Sequence, residues 1–96
     1  GAQAAHIVPV GAFRNRSSVV QAYVRDAQAI LRKHRIDLDT PVNGFWAGVG
    51  HLGTHTNKYL IAMSRRIQRA DFRGGALGVV AELHKLKADI LAGKFL

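Results

Sequence analysis

Histidines in two stretches of this chain have the types and spacing for chemistry. In the first, "AHIVP", His6 is followed by Ile7-Val8-Pro9 and stands where the end of a short strand would deliver an imidazole to a site. In the second, "VGHLGTHTNKYL", His51 and His55 stand four apart. On a helix that spacing sets two side chains on one face, about 6 Å apart along the axis. Two converging imidazoles can hold a divalent cation. The same residues also fit a plainer assignment, with His51 capping a helix and His55 solvated in its first turn. Spacing alone does not decide between them.

The elements that must position these groups follow from pattern. Ala4–Val10 reads as extended, ended by Pro9 and Gly11. Ser17 or Ser18 is placed to cap a helix by accepting a bond from an orphan N–H. The helix over "VVQAYVRDAQAILRKHR" puts Val20, Tyr23, Val24, Ala27, Ile30 and Leu31 on one face. Lys33, His34 and Arg35 fall in its last turn, at the negative end of the helix dipole. "DLDTPVNG" is a turn-rich connection, and "GFWAGVG" a short aromatic strand between glycines. Trp46 could stack on a base, but an aromatic beside Phe45 in a strand is more often core. A second helix is predicted from about Thr54 to about Ala70, with Tyr59, Ala62, Met63 and Ile67 as its apolar stripe. Gly74-Gly75 breaks the chain. A third helix, about Ala76 to Ala92, carries Val79, Leu83, Leu86 and Ile90 at core spacing. The order strand, helix, strand, helix, helix describes a small α+β domain.

Composition sets limits on the partners. The 96 residues make one domain, and 48% hydrophobic residues with dispersed charges argue against a disordered tail. There is no cysteine, so a metal would need imidazole, carboxylate or water oxygen. No apolar run approaches the ~18 residues of a membrane span. Fourteen Lys and Arg against six Asp and Glu give a net charge of +8, which favours a polyanion, nucleic acid ahead of a membrane surface or an acidic protein. Such a field supplies affinity without sequence preference.

Three motifs taken together resemble the AHH family of nucleases in the HNH/endonuclease VII superfamily. They are Ala4-Ala5-His6-Ile7-Val8-Pro9, then Asn43-Gly44-Phe45-Trp46, then His51, Gly53 and His55 followed by Tyr59. The resemblance covers residues 4–67 and leaves a C-terminal helical extension over 74–96. It implies a ββα-metal core with additional helices, and a metal-dependent endonuclease hydrolysing phosphodiester bonds of DNA, with RNA as the other polymer bearing that ester. His6 would be the general base that activates water. His51 and His55 would hold one divalent ion, drawn from Mg, Zn, Mn or Ni, and Asn43 would hold the base-bearing loop in place. Arg14, Arg16 and Lys58 stand where they could reach a backbone phosphate. Arg65, Arg66, Arg69 and Arg73 form a basic stripe. Tyr59 reads as packing near the site, and His34 and His84 as surface or packing residues.

One position departs from the pattern. The first histidine of the family motif, a metal ligand in related nucleases, falls on Ala5, and a methyl group cannot ligate a metal. The chain is therefore expected to be impaired, by an introduced inactivating change or by natural loss. Family members of this kind are toxin modules of bacterial effectors, secreted or injected into rivals. Such a module acts in the target-cell cytoplasm and is neutralised by an immunity protein, here an acidic one. A non-catalytic nucleic-acid-binding module is the alternative, and a helical interaction module with incidental histidines comes third.

Overall fold

A computed structural model describes residues 3–48 and 55–95. Two short strands, β1 (Gln3–His6) and β2 (Gly44–Ala47), pair antiparallel with Ala4 opposite Trp46 and His6 opposite Gly44. Between them run α1 (Ser18–Lys33) and a 3-10 turn over Pro41–Asn43; α2 (Asn57–Leu91) follows. This is a small α+β fold compatible with a ββα-type nuclease core. No helix among the described residues is long and apolar enough to cross a membrane.

Helix α1 starts where its sequence can satisfy a bare N–H. Ser17 Oγ accepts from the Val20 amide at 3.3 Å. It ends at His34, and Arg35 takes a left-handed φ of 57° that turns the chain away. Val20, Val24, Ala27 and Leu31 are buried along the expected face. Tyr23 and Ile30, expected with them, are only half-buried. Gln28 is buried in their stead, because its amide donates to the carbonyls of Pro9 (2.8 Å) and Gly11 (3.0 Å). An apolar side chain there would leave those carbonyls unpaired.

The predicted second and third helices are one span, α2, bent at a single residue. Gly75 adopts φ 57°, ψ −143°, inside otherwise helical backbone, a conformation that costs glycine least. The span begins at Asn57, three residues later than expected, because Thr56 is the cap and its Oγ1 accepts from the Tyr59 amide at 3.1 Å. The two arms of α2 close on each other immediately beyond the bend. A Cβ built on Gly78 would lie 2.5 Å from the Ala70 carbonyl oxygen. Tyr59, Leu60, Met63 and Ile67 from the first arm and Val79, Leu83, Leu86 and Ile90 from the second share one core with α1, Ile7, Val8 and Phe45.

Two polar ties fix this arrangement. Asp71 on α2 pairs with both Lys33 and His34 at the end of α1. These two partners hold its carboxyl below the usual carboxylate range, the Lys33 hydrogen bond most of all. Arg66, assigned from sequence to an exposed basic stripe, is instead half-buried between the arms. Its guanidinium meets Glu82 at 2.7 Å and Asp89 at 2.8 Å. The stripe reading failed at this residue because Glu82 and Asp89 come into reach only once the chain folds back at Gly75. Arg65 lies over the Tyr23 ring, 5.4 Å from its centroid.

The bend yields a paired prediction. Gly78→Ala drives a methyl into the Ala70 backbone and lowers stability by about 1–3 kcal/mol. Gly74→Ala meets open space and changes stability by no more than about 1 kcal/mol, in the stabilising direction if at all. Urea melts of both variants check this; equal midpoints would show that the arms are not in close contact.

Candidate active site

The site is built where β1 stops being a strand. After His6 the chain leaves the sheet ladder, yet Ile7, Val8 and Pro9 are all buried. Buried backbone that has lost its ladder must find other partners. The Ile7 amide donates to the Asn43 carbonyl at 2.8 Å, and the Tyr59 hydroxyl donates to the Ile7 carbonyl at 2.8 Å. Asn43 supplies the rest. Its Oδ1 accepts from the Val8 amide (2.8 Å), and its Nδ2 donates to the carbonyls of Val8 and Leu38 (2.9 Å each).

A side-chain amide offers one acceptor and two donors, and all are used here. Asn43 is fully buried, so these bonds form in low dielectric, where leaving one unmade is costly. Tyr59 is equally buried. Desolvation pushes its phenol far above the ordinary value against a smaller opposing pull from Arg66, so the ring stays a neutral donor. Tyr59 thus does more than pack: it ties the first turn of α2 to the residue after His6.

His6 itself projects from the same face of the hairpin as Ala4, Gly44 and Trp46, since paired and alternate residues of an antiparallel pair share a face. Its Nε2 lies 2.9 Å from Asp39 Oδ1. Asp39 is set by a turn of its own. Its amide donates to Asp37 Oδ1 at 2.9 Å, and Thr40 Oγ1 donates to the Asp37 carbonyl at 2.8 Å. Sequence reasoning passed over Asp39. The available signal was an acid, one of only six, four residues ahead of Asn43 in "DLDTPVNG".

The other positions are arranged separately. His55 is exposed immediately ahead of the Thr56 cap, with its ring centroid 6.3 Å from that of Phe13. Arg16 fixes that segment: Nη2 donates to the His55 carbonyl at 2.7 Å and Nη1 to Asn57 Oδ1 at 2.6 Å, with the guanidinium over Phe13. The Arg16 guanidinium, assigned from sequence to a phosphate, is therefore engaged with the protein here. Arg14 and Lys58 are exposed. Ala5 sits opposite Phe45, on the opposite face of β1 from His6, and packs against the core. His51 lies outside the described residues.

His6 thus has Asp39 as its neighbour and His55 has Phe13. Among the described residues no three His, Cys, Asp or Glu side chains gather as a metal cluster. His55 has the chemistry and exposure to serve as one imidazole ligand, while Ala5 has no donor atom.

Trp46 corrects a sequence expectation. Trp46 is 71% exposed, whereas Phe45 and Ala47 are buried. Adjacent strand residues face opposite ways, and only one of two neighbouring aromatics can enter the core. Phe45 takes that place.

With this geometry in hand, comparison with known proteins places the molecule among nucleases. Residues 1–90 match AHH, a nuclease family of the HNH/ENDO VII superfamily with conserved AHH, and the chain belongs to that family. The match runs past the Gly75 bend into the second arm of α2. No curated protein and no solved structure matches the chain.

The Asn43 arrangement gives a direct prediction. Asn43→Ala leaves buried groups of Val8 and Leu38 unpaired and costs about 3 kcal/mol. Asn43→Asp also destabilises, because a carboxylate cannot donate to the two carbonyls. Denaturant midpoints unchanged in both variants would contradict the assigned bonds.

Proposed function

We propose that this domain is an endonuclease that hydrolyses phosphodiester bonds of DNA, with His6 as general base. The observation that carries the reading is the His6–Asp39 hydrogen bond in an open cleft, in a chain of the AHH nuclease family. An ionised carboxylate can only accept, so Asp39 holds the proton of His6 on Nε2 and leaves the lone pair on Nδ1. Water gives a proton to Nδ1 as its oxygen attacks phosphorus. The bond from phosphorus to the 3′ oxygen breaks, and the leaving oxygen takes a proton from solvent. Asn43 and Tyr59 keep the base-bearing backbone from shifting during these transfers. Arg14 and Lys58 are exposed cations for flanking phosphates.

A divalent cation held by His51 and His55 would polarise a phosphate oxygen and offset charge on the leaving oxygen. With Ala5 where the family motif has histidine, the donor set is short by one, and the chain as it stands is impaired. Mg, Zn, Mn and Ni are the candidate ions. The biological setting we assign is that of a toxin domain of a bacterial effector, delivered into a competitor's cytoplasm and held in check by an acidic immunity protein. The charge of +8 suits both the polyanionic substrate and that inhibitor. A second reading, a nucleic-acid-binding module without catalysis, is favoured by one observation, the missing donor at residue 5.

Supercoiled-plasmid nicking separates the two. Ala5→His is expected to raise cleavage at least about 10-fold over the chain as it stands, with the gain abolished by a chelator, in line with the effect of completing a ligand shell. DNA binding without any gain of cleavage would select the binding module.

A further inference from the structure

The cleft that holds His6 also contains an aromatic surface that the hydrolytic mechanism does not use. It encloses about 340 Å³ between the hairpin, the Asp39–Pro41 turn and Lys87 on the second arm of α2. Its floor is nearly bare, because Ala4 stands opposite Trp46 and Gly44 opposite His6. The indole and the imidazole therefore rise from one face as diagonal neighbours, about 7 Å apart at their backbones. That span is comparable to the distance from a phosphate to its own base.

Among the described residues the other large exposed hydrophobics, Val10, Val19, Phe72, Leu77 and Leu91, do not line this cleft. Its rim is polar and charged, with Thr40, Asp39 and Lys87, whose Nζ lies 3.4 Å from the Pro41 carbonyl. One flat aromatic ring over small side chains, in a basic protein and beside the base that activates water for attack on a phosphate, suits a planar ligand attached to that phosphate.

Resting on the nuclease reading, we infer that Trp46 is a stacking platform for an unpaired nucleobase of the substrate strand. The base next to the scissile phosphate lies on the indole, and Lys87 faces the adjoining backbone. A base inside a duplex has both faces covered by its neighbours, so the platform selects single-stranded or locally opened nucleic acid. Stacking is indifferent to base identity, which agrees with a nuclease of low sequence preference.

Trp46 is the single tryptophan of the chain, so its fluorescence reports the contact directly. The protein as it stands is titrated with a short oligothymidylate, an abasic strand of equal phosphate count, the corresponding oligouridylate and a closed duplex. Binding is followed in parallel by anisotropy of labelled strands. The expected result is quenching by both base-bearing single strands but not by the abasic strand or the duplex. Trp46→Ala is expected to weaken oligothymidylate binding about 5- to 100-fold, with Trp46→Phe in between. Oligonucleotide binding with unchanged Trp46 fluorescence, and with wild-type affinity in Trp46→Ala, overturns the platform and leaves the nuclease reading standing. Absence of binding to every strand overturns both. Far-UV circular dichroism confirms that the variants fold.

Discussion

The amide of Asn43 is the interaction on which the rest of this structure depends. Beyond His6 the chain leaves its ladder, and the next residues are buried without sheet partners. Asn43 meets that demand with one acceptor and two donors from a single rigid side chain. Aspartate lacks the donors and glutamine carries an extra rotor, so neither replaces it without loss. The bond from Tyr59 to Ile7 extends the same fixture to the start of α2. His6 is consequently placed by residues 37 and 53 positions away in sequence, not by its own strand alone.

Much of this was legible in the sequence wherever a local rule decides. The Ser17 cap, the buried Val20–Leu31 stripe of α1 and the Gly74-Gly75 interruption rest on cap chemistry, helical periodicity and glycine's access to positive φ. The family itself was readable from three motifs in order. What escaped depended on contacts between distant segments. Gln28 is buried because two loop carbonyls happen to reach it, and Arg66 is drawn inward by acids that arrive only after the bend. The orientation of Trp46 and Phe45 turns on a one-residue choice of face, which periodicity leaves open in so short a strand. Of the candidate site, His6, Asn43 and Tyr59 stand within the three motifs, whereas Asp39 lies in a turn whose geometry pattern does not encode. His51 falls outside the described residues.

The acidic residues show how a strongly basic chain allocates its few negative charges. Asp71 joins α1 to α2, Glu82 and Asp89 hold Arg66 between the arms of α2, and Asp39 faces His6. With Asp37, whose carboxylate accepts from the Asp39 amide, five of the six acids are thus committed to architecture or to the candidate base. Screening by salt weakens exposed pairs first, so the half-buried Arg66 set keeps its strength under conditions that loosen Lys33–Asp71. The positive surface that remains suits a phosphate backbone, while the cleft lined by His6 and Trp46 is the place where chemistry can be local.

The Asn43 bonds must hold the backbone beyond His6 as firmly as packing holds the helical core. Hydrogen–deuterium exchange at the Val8 amide tests it most directly. This proton is expected to exchange only through global unfolding, at the same free energy as the slowest amides around Leu31 and Met63. Exchange of Val8 within the range of exposed loop amides, while the helices stay protected, would contradict it.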